Sequence, residues 1–357
     1  MIKKALLGLF VSSLILGCAE AFIRASLGPP PPAVQVHSRI GQLERYLVPD
    51  RNYWVPYYQQ RAAAKLQPER IQISVLGGSS VHGGSVGVRT QEEFPALLDR
   101  KLSIDVNNLA APSLDSHDLL RILDELAAFS SAAWVVYSGH NDFGNGYFLQ
   151  RYKGHSSVVR AHLRAALERT QLYWLLRQRL GRTHVSNERL DPSNQFRGSG
   201  VSEARRKHIE SDYLRNMERI IWKAQKAQVP LVVIIPASSV FTPPLMSCGS
   251  ESAQTYFNRA QELKTTDLLK ASELLIKARD LDCIPLRFPS STANALRKLA
   301  QGRSGVWVVD AESLLPRETG LSVVRADLFS DNLHFSAAGH RAMAELLEPI
   351  LKEISSK

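Results

Sequence analysis

The amino-acid sequence predicts a three-layer α/β/α sandwich built on a five-stranded parallel sheet. Short β-prone runs alternate with longer stretches of helical periodicity, as expected when helices connect parallel strands. The run from Leu231 to Ile235 is entirely apolar, which suits a strand buried on both faces. The chain has 357 residues, of which 44% are hydrophobic and 22% charged, so it can bury a large core.

Five strands are expected along the chain, with helices between them. They lie near residues 71–76, 104–108, 133–138, 230–236 and 306–310. A last helix, from about Ala337 to Ile354, is expected to close the domain. These elements together predict one α/β domain over residues 70–355.

Two connections are longer than those of an ordinary α/β domain and are interpreted as helical insertions, at about 150–228 and 250–283. The first is expected to be helical from Ser156 to Leu180 and from Ser202 to Ala227, with a polar break between them. The second has the apolar spacing of a helical hairpin and is similar to one tetratricopeptide unit. Because a single unit cannot form a solenoid, we expect it to pack on the main domain and shape the entrance of the site.

The first 28 residues have the pattern of a targeting segment. Lys3 and Lys4 precede an uncharged stretch from Ala5 to Ala19, which is short for a membrane span and suits a signal sequence. Three outcomes are compatible with it: lipidation at Cys18, cleavage after Ala21, or retention as a short N-terminal anchor. Each predicts an exported, periplasmic or cell-envelope protein, and the first and last tether it to the membrane. Residues 29–69 are expected to form a linker that docks on the domain.

Cysteine usage agrees with either of two arrangements. Apart from Cys18, the only thiols are those of Cys248 and Cys283. In an oxidising compartment these two could pair, and two separate buried thiols are the alternative.

Charge and motif content exclude several classes of ligand. The formal net charge of +10 is dispersed along the chain without an aromatic-interleaved recognition pattern, so we expect a solvated basic surface and no nucleic-acid partner. The sequence contains no H-E-x-x-H, paired C-x-x-C, G-x-G-x-x-G or Walker A pattern. We therefore predict neither a metal nor a cofactor.

Four short patterns carry the residue types of a reactive site. In chain order they are Gly77-Gly78-Ser79-Ser80, Asn108-Leu109-Ala110, Gly139-His140-Asn141-Asp142 and Asp331-Asn332-Leu333-His334. The first and third follow β-prone runs, so we expect them at the carboxyl ends of parallel strands, where α/β folds expose functional groups.

With these patterns the chain resembles the SGNH, or GDSL-like, hydrolase family, whose name gives its block residues Ser, Gly, Asn and His. Ser79, Asn141 and His334 match three of the four, and Ala110 stands where the glycine is expected. Gly78 replaces the aspartate of the GDSL pattern. The resemblance covers roughly residues 70–350 and implies the flavodoxin-like fold of that family.

The chemistry implied by these residues is acyl transfer. A serine hydroxyl is a weak nucleophile at neutral pH, so Ser79 needs a base, and His334 is the candidate. Asp331, three residues before the histidine, can hold its useful tautomer. The resemblance assigns the oxyanion donors to the backbone N–H groups of Ser79 and Ala110 and to the side-chain amide of Asn141. Structural roles are the alternatives, such as a helix cap for the serine.

Four further residues are candidates for substrate contacts. Gly78, His82 and His140 lie close to the blocks in sequence and are expected to line the pocket. Arg287 follows the expected hairpin and is a candidate for meeting an anionic substrate group, with a surface salt bridge as the alternative. Asp142 is expected to brace its loop.

These observations favour an exported serine esterase that removes O-acyl groups from a carbohydrate or lipid of the cell envelope, with a small-molecule or glycan ester as substrate. An O-acetyltransferase that uses the same residues is the alternative among enzymes. A non-catalytic binding or scaffold protein is the alternative from another class.

Overall fold

The computed structural model of the chain describes residues 2–27, 71–83, 88, 91–110, 114–127, 129–148, 170–172, 175–176, 200–248 and 251–356. The strands within these ranges are β1 (Gln72–Gly77), β2 (Asp105–Asn108), β3 (Ser131–Tyr137), β4 (Leu231–Ile235) and β5 (Val306–Asp310). All five strands expected from the sequence are therefore confirmed, with ends that differ by two residues at most.

The five strands form one sheet in the order β2-β1-β3-β4-β5, and every neighbouring pair is parallel. β1 pairs with β2 on one side and with β3 on the other, so the order of the strands reverses at β1. In an open α/β sheet such a reversal leaves a crevice at the carboxyl ends of the strands on either side of it. The fold therefore provides a site next to the ends of β1 and β3.

The helices lie before, between and after the strands. Within the described ranges they are α1 (Ile2–Leu27), α2 (Ser79–His82), α3 (Phe94–Lys101), α4 (Ser116–Leu126), α5 (His140–Phe148), α6 (Glu203–Ala227), α7 (Ala253–Leu263), α8 (Leu268–Asp280), α9 (Ser290–Ala300), α10 (Ala311–Leu314), a 3-10 turn (Ala326–Leu328) and α11 (Ala337–Ser355). None of the helices in these ranges combines the length and the apolar character that a membrane crossing requires.

The core consists of two apolar layers, one on each face of the sheet. Side chains alternate along a strand, and in β4 Val232 and Ile234 enter one layer while Leu231, Val233 and Ile235 enter the other. Helices α3 and α11 cover the first face, and α4, α6 and α9 cover the second. The three-layer sandwich and the two-sided burial of β4 are thus as the sequence predicted.

The long connections agree with the sequence where they are described. The hairpin expected over 252–282 is present as α7 and α8, and its apolar side packs with Val240 and Leu321 of neighbouring loops. α6 begins after Ser202, whose Oγ accepts the N–H of Arg205 as a helix cap. The linker predicted over 29–69 and most of the helix predicted from Ser156 to Leu180 lie outside the described residues.

Cys248 and Cys283 form a disulfide, with their α-carbons 6.1 Å apart. Of the two arrangements left open by the sequence, the paired one is found. Cys248 lies just before α7 and Cys283 just after α8, so the bond joins the two ends of the helical hairpin at its base.

Replacing both cysteines of this bridge with serine is expected to lower the free energy of unfolding by about 3 to 4 kcal/mol, because the bond restricts a loop between residues separated by 35 positions. Urea denaturation of the oxidised protein measures the loss. Cys18→Ser is the control, since that thiol is exposed and unbonded, and it should leave the midpoint unchanged. Equal midpoints for the double variant and the wild type would contradict the prediction.

Candidate functional site

Ser79 lies at the carboxyl end of β1, where the chain turns into the short helix α2. Gly78 precedes it in an extended conformation, with φ −90° and ψ −156°. As the first residue of a helix, Ser79 has no intrahelical acceptor for its backbone N–H. Its side chain is partly exposed at the edge of the sheet. The serine is thus presented on a sharp strand-to-helix turn beside the reversal of strand order.

His334 reaches Ser79 from a loop near the other end of the domain. Its Nε2 atom lies 2.7 Å from the Oγ of Ser79, and its Nδ1 atom lies 2.6 Å from Oδ2 of Asp331. The other carboxylate oxygen, Oδ1, accepts the backbone N–H groups of Leu333 and His334 at 2.9 and 2.8 Å. The three side chains named from the sequence therefore form one continuous chain of hydrogen bonds.

The positions of the protons in these hydrogen bonds follow from the environment of Asp331. Partial burial raises the pKa of its carboxyl, but the hydrogen bonds and charge of His334, with the Leu333 N–H, outweigh that effect and hold the pKa below its usual range. An ionised carboxylate can only accept hydrogen bonds, so Nδ1 of the imidazole carries the proton. In the neutral form of the imidazole, Nε2 is then the acceptor that faces the serine hydroxyl.

The loop that carries His334 is held by hydrogen bonds from Ser80 and Ser239, for which the sequence predicted no role. Ser80 Oγ donates to the carbonyl of Leu333 at 3.1 Å, and Ser239 N–H donates to the carbonyl of Asn332 at 3.0 Å. Ser80 is next to the expected nucleophile in the Gly77–Ser80 pattern, but its partner lies 253 residues away. No local spacing predicts such a contact.

Asn141, in the first turn of α5 after β3, brings an amide to the same place. Its Nδ2 donates to the carbonyl of Leu114 at 2.8 Å. A β-carbon added to Gly78 would stand only 2.2 Å from that nitrogen, so the amide lies against the backbone next to Ser79. An asparagine amide has two N–H groups, and one remains after the bond to Leu114.

The prediction for Ala110 needs correction. Its backbone N–H donates to the side-chain oxygen of Asn108 at 3.0 Å, in an Asx-type turn at the end of β2. The residue itself is buried in the apolar layer that includes Val81 and Phe94. Because this N–H already has an acceptor, the structure does not present it as an oxyanion donor.

The two histidines expected to line the pocket differ from each other. His82 is the last residue of α2 and is fully buried, which contradicts a direct role in contacting substrate. His140 borders a small cavity together with Gly78 and Asn141. Its Nε2 lies 3.2 Å from the carbonyl of Ala237, and burial, with a smaller effect of the His334 charge, lowers its pKa to about 4. His140 therefore lines the cavity with an imidazole that is neutral near pH 7.

Arg287 does not meet the site, and it is not on the surface either. Its guanidinium is buried and donates to the carbonyls of Thr242 and Ser239 at 2.7 and 3.3 Å, and to the carboxylate of Asp282 at 3.1 Å. Both alternatives drawn from the sequence, a substrate contact and a surface salt bridge, are wrong. The residue instead fixes the segment after β4 through these three hydrogen bonds.

The described residues contain no group of three or more histidine, cysteine or acidic side chains arranged to hold a metal ion. The fold and the site thus define an α/β sandwich with a linked serine, histidine and aspartate at the carboxyl edge of its sheet, and an amide beside the serine.

No protein-family model matches the chain, and a search of curated proteins found no match. Among solved structures the chain is similar to a GDSL-like lipase from Bacteroides thetaiotaomicron (12% identity, 84% of this chain and 98% of that chain, TM-score 0.41). It is also similar to the psychrotrophic esterase EstA from a Pseudoalteromonas species (12% identity, 80% of this chain and 99% of that chain, TM-score 0.38). A third similar structure is an acetyl xylan esterase (13% identity, 78% of this chain and 99% of that chain, TM-score 0.43). Since identities and TM-scores are this low, the function of the chain is inferred below from its own residues.

The lowered pKa of Asp331 gives a pH test of the pair with His334. Because the carboxyl is more acidic in the folded state, its ionisation stabilises the fold above the unfolded pKa, and this stabilisation is lost as the pH falls through the folded value. The wild type should therefore exceed Asp331→Asn in unfolding free energy at pH 6, and the difference should shrink towards pH 3.

Urea denaturation at several pH values between these limits measures that difference. The control is the same substitution in a His334→Ala background, where the imidazole that lowers the pKa is absent and most of the pH dependence should disappear. A difference that does not change with pH in the wild-type background would show that the two side chains are not coupled in this way.

Proposed function

We propose that this protein is a serine hydrolase that cleaves carboxylic esters. The observation that carries the proposal is the chain of hydrogen bonds from Ser79 through His334 to Asp331. A hydroxyl at hydrogen-bond distance from an imidazole nitrogen, with a carboxylate on the other nitrogen, is the arrangement that activates serine for attack on a carbonyl carbon.

In the proposed reaction, Ser79 Oγ attacks the ester carbonyl carbon while Nε2 of His334 takes the hydroxyl proton. Asp331 stabilises the imidazolium without becoming protonated. The tetrahedral intermediate then collapses, the C–O bond to the alcohol breaks, and His334 gives its proton to the leaving oxygen. Water repeats the sequence on the resulting acyl ester of Ser79, releasing the acid and restoring the hydroxyl.

The negative charge of the tetrahedral intermediate needs donors that are already in place. Two groups support this role: the backbone N–H of Ser79, which begins a helix, and the N–H of Asn141 that is not used by Leu114. The Asn141 nitrogen lies against Gly78, so both donors border the attacked carbon. We propose these two as the oxyanion donors contributed by the described residues.

We further propose that the ester is an O-acyl group on a carbohydrate or lipid of the cell envelope. Support for this substrate class comes from the N-terminal segment, which has the pattern of an export signal. An enzyme exported to the envelope meets acylated glycans and lipids there.

Labelling with a fluorophosphonate probe tests the proposed chemistry. Wild type should become labelled and hydrolyse a short-chain aryl ester, and Ser79→Ala should do neither. Asn141→Ala should keep the serine and lose about two to three orders of magnitude in turnover, because one oxyanion donor contributes roughly 3 to 4 kcal/mol to the transition state.

Asn145→Ala is the matched control, because it removes an amide of the same kind from the same helix, at a position that hydrogen-bonds Asp115. Its turnover should remain within about threefold of wild type. A folded wild-type protein that takes up no probe would favour a binding or scaffold role and end the esterase proposal.

We also propose that the mature protein stays tethered through α1. This helix exposes Leu14, Ile15, Leu16 and Phe22. The carboxylate of Glu20 accepts the backbone N–H groups of residues 171 and 172 at 2.7 and 2.9 Å, which caps the helical turn that begins there. Cleavage after Ala21 would remove that cap, whereas lipidation at Cys18 and an uncleaved anchor both keep it.

Fractionation of a bacterial host that expresses the full chain with a C-terminal tag tests the tether. The protein should be found with the membranes, and its intact mass should include Glu20. The intact mass also separates the two tethers, because lipidation removes the residues before Cys18 and adds acyl groups to this cysteine, whereas an uncleaved helix keeps those residues. A soluble wild-type protein that begins at Phe22 would refute the tether.

A further inference from the structure

A group of buried polar side chains lies directly behind Asn141. It joins the start of α5 to the start of α4 and to α6, and it consists of Asp115, Ser116, Ser138, Asp142, Asn145 and Asn216. None of these residues belongs to the hydrogen-bonded chain of Ser79, His334 and Asp331. Buried polar groups of this kind are retained at a free-energy cost unless they are well paired, so their arrangement calls for a physical account.

Asp142 is the centre of this group. Its carboxyl accepts the Oγ–H of Ser116 at 2.5 Å and the N–H of the same serine at 3.2 Å, and it contacts Ser138 Oγ at 3.2 Å. Asn216 in turn donates to Ser116 Oγ at 2.9 Å, which leaves the hydroxyl proton for Asp142. Ser116 is therefore held through both its backbone and its side chain.

Two neighbouring residues of α5 thus form hydrogen bonds with two residues at or just before the start of α4. Asn141 binds the carbonyl of Leu114, and Asp142 binds Ser116 two positions later. The two sets of hydrogen bonds and the short stretches of backbone between them close a ring. Within such a ring the Leu114 carbonyl cannot shift without breaking the contacts of Ser116, and the Asn141 amide follows that carbonyl.

We infer that Asp142 is a positioning residue: by holding Ser116 it fixes the Leu114 carbonyl, and that carbonyl orients the amide of Asn141 towards the oxyanion. The inference rests on the proposed function, in which the second N–H of this amide donates to the tetrahedral intermediate. Gly78 limits the amide from the other side, since no β-carbon fits there.

The charge state of Asp142 agrees with this role. Burial, and then the negative charge of Asp115, raise the pKa of the Asp142 carboxyl well above its usual range. A carboxyl that retains its proton has an O–H donor on one oxygen and an acceptor on the other. A side-chain amide likewise has an NH2 donor and an acceptor oxygen. Asparagine is therefore an isosteric substitute at this position, and alanine is not.

The kinetic test uses Asp142→Ala and Ser116→Ala with an aryl ester substrate. Each should lower kcat by about tenfold to a hundredfold with KM nearly unchanged, because a displacement of about 1 Å in a catalytic group has effects of this size. Asp142→Asn should restore kcat to within about threefold of wild type. Thr292→Ala, which removes the side-chain hydrogen bond of a buried residue to Glu210 outside this group, should also stay within about threefold.

A double-mutant cycle separates positioning from general support of the fold. In an Asn141→Ala background the amide is absent, so Asp142→Ala and Ser116→Ala should cause no further loss of kcat. Losses that add fully to that of Asn141→Ala, or that appear as much in Thr292→Ala, would overturn the inference. If Asp142→Ala does not fold, the cycle with Ser116→Ala and the rescue by Asp142→Asn decide the question.

The outcome also distinguishes this inference from the function on which it rests. Failure of the proposed function appears as a folded wild type without turnover or fluorophosphonate labelling, and the inference then falls with it. An active, labelled wild type with additive losses removes the positioning role alone.

Discussion

The reversal of strand order at β1 is the constraint on which the site depends. Because β2 and β3 lie on opposite sides of β1, the chain continues from β1 towards one face of the sheet and from β3 towards the other, and a crevice forms between the ends of these strands. Ser79 follows β1 and Asn141 follows β3, so the sheet brings hydroxyl and amide together before any side-chain contact is made. Only the histidine has to arrive from elsewhere, across 255 residues of sequence.

The loop that carries His334 is held by interactions that begin far from the site. The disulfide at Cys283 adjoins Asp282, which pairs with the buried guanidinium of Arg287. Arg287 holds the carbonyl of Ser239, and the N–H of Ser239 holds the loop at Asn332. A continuous path of covalent and hydrogen bonds therefore leads from the base of the helical hairpin to the residue that follows Asp331.

Interactions that are local in sequence, or that repeat periodically, were predictable. The strands follow from apolar runs, and the contact of Asp331 with His334 follows from a spacing of three residues. The two main errors have different origins. Ala110 lost its expected role to a local bond, because the side chain of Asn108, two residues earlier, takes its N–H in an Asx-type turn. Arg287 lost its role because it is buried and bonds the carbonyls of Ser239 and Thr242, more than forty residues away in sequence. No pattern in a single sequence specifies such distant acceptors.

A second histidine and a second aspartate, His140 and Asp142, flank Asn141 in sequence, and their environments explain why they cannot replace His334 and Asp331. His140 and Asp142 are both buried, so burial lowers the pKa of the imidazole and raises that of the carboxyl, and both groups are neutral near pH 7. An imidazole that resists protonation is a poor general base, and an uncharged carboxyl cannot stabilise an imidazolium. Asp331 is partly exposed and ionised, so a proton moving from Ser79 to His334 is matched by a negative charge already in place.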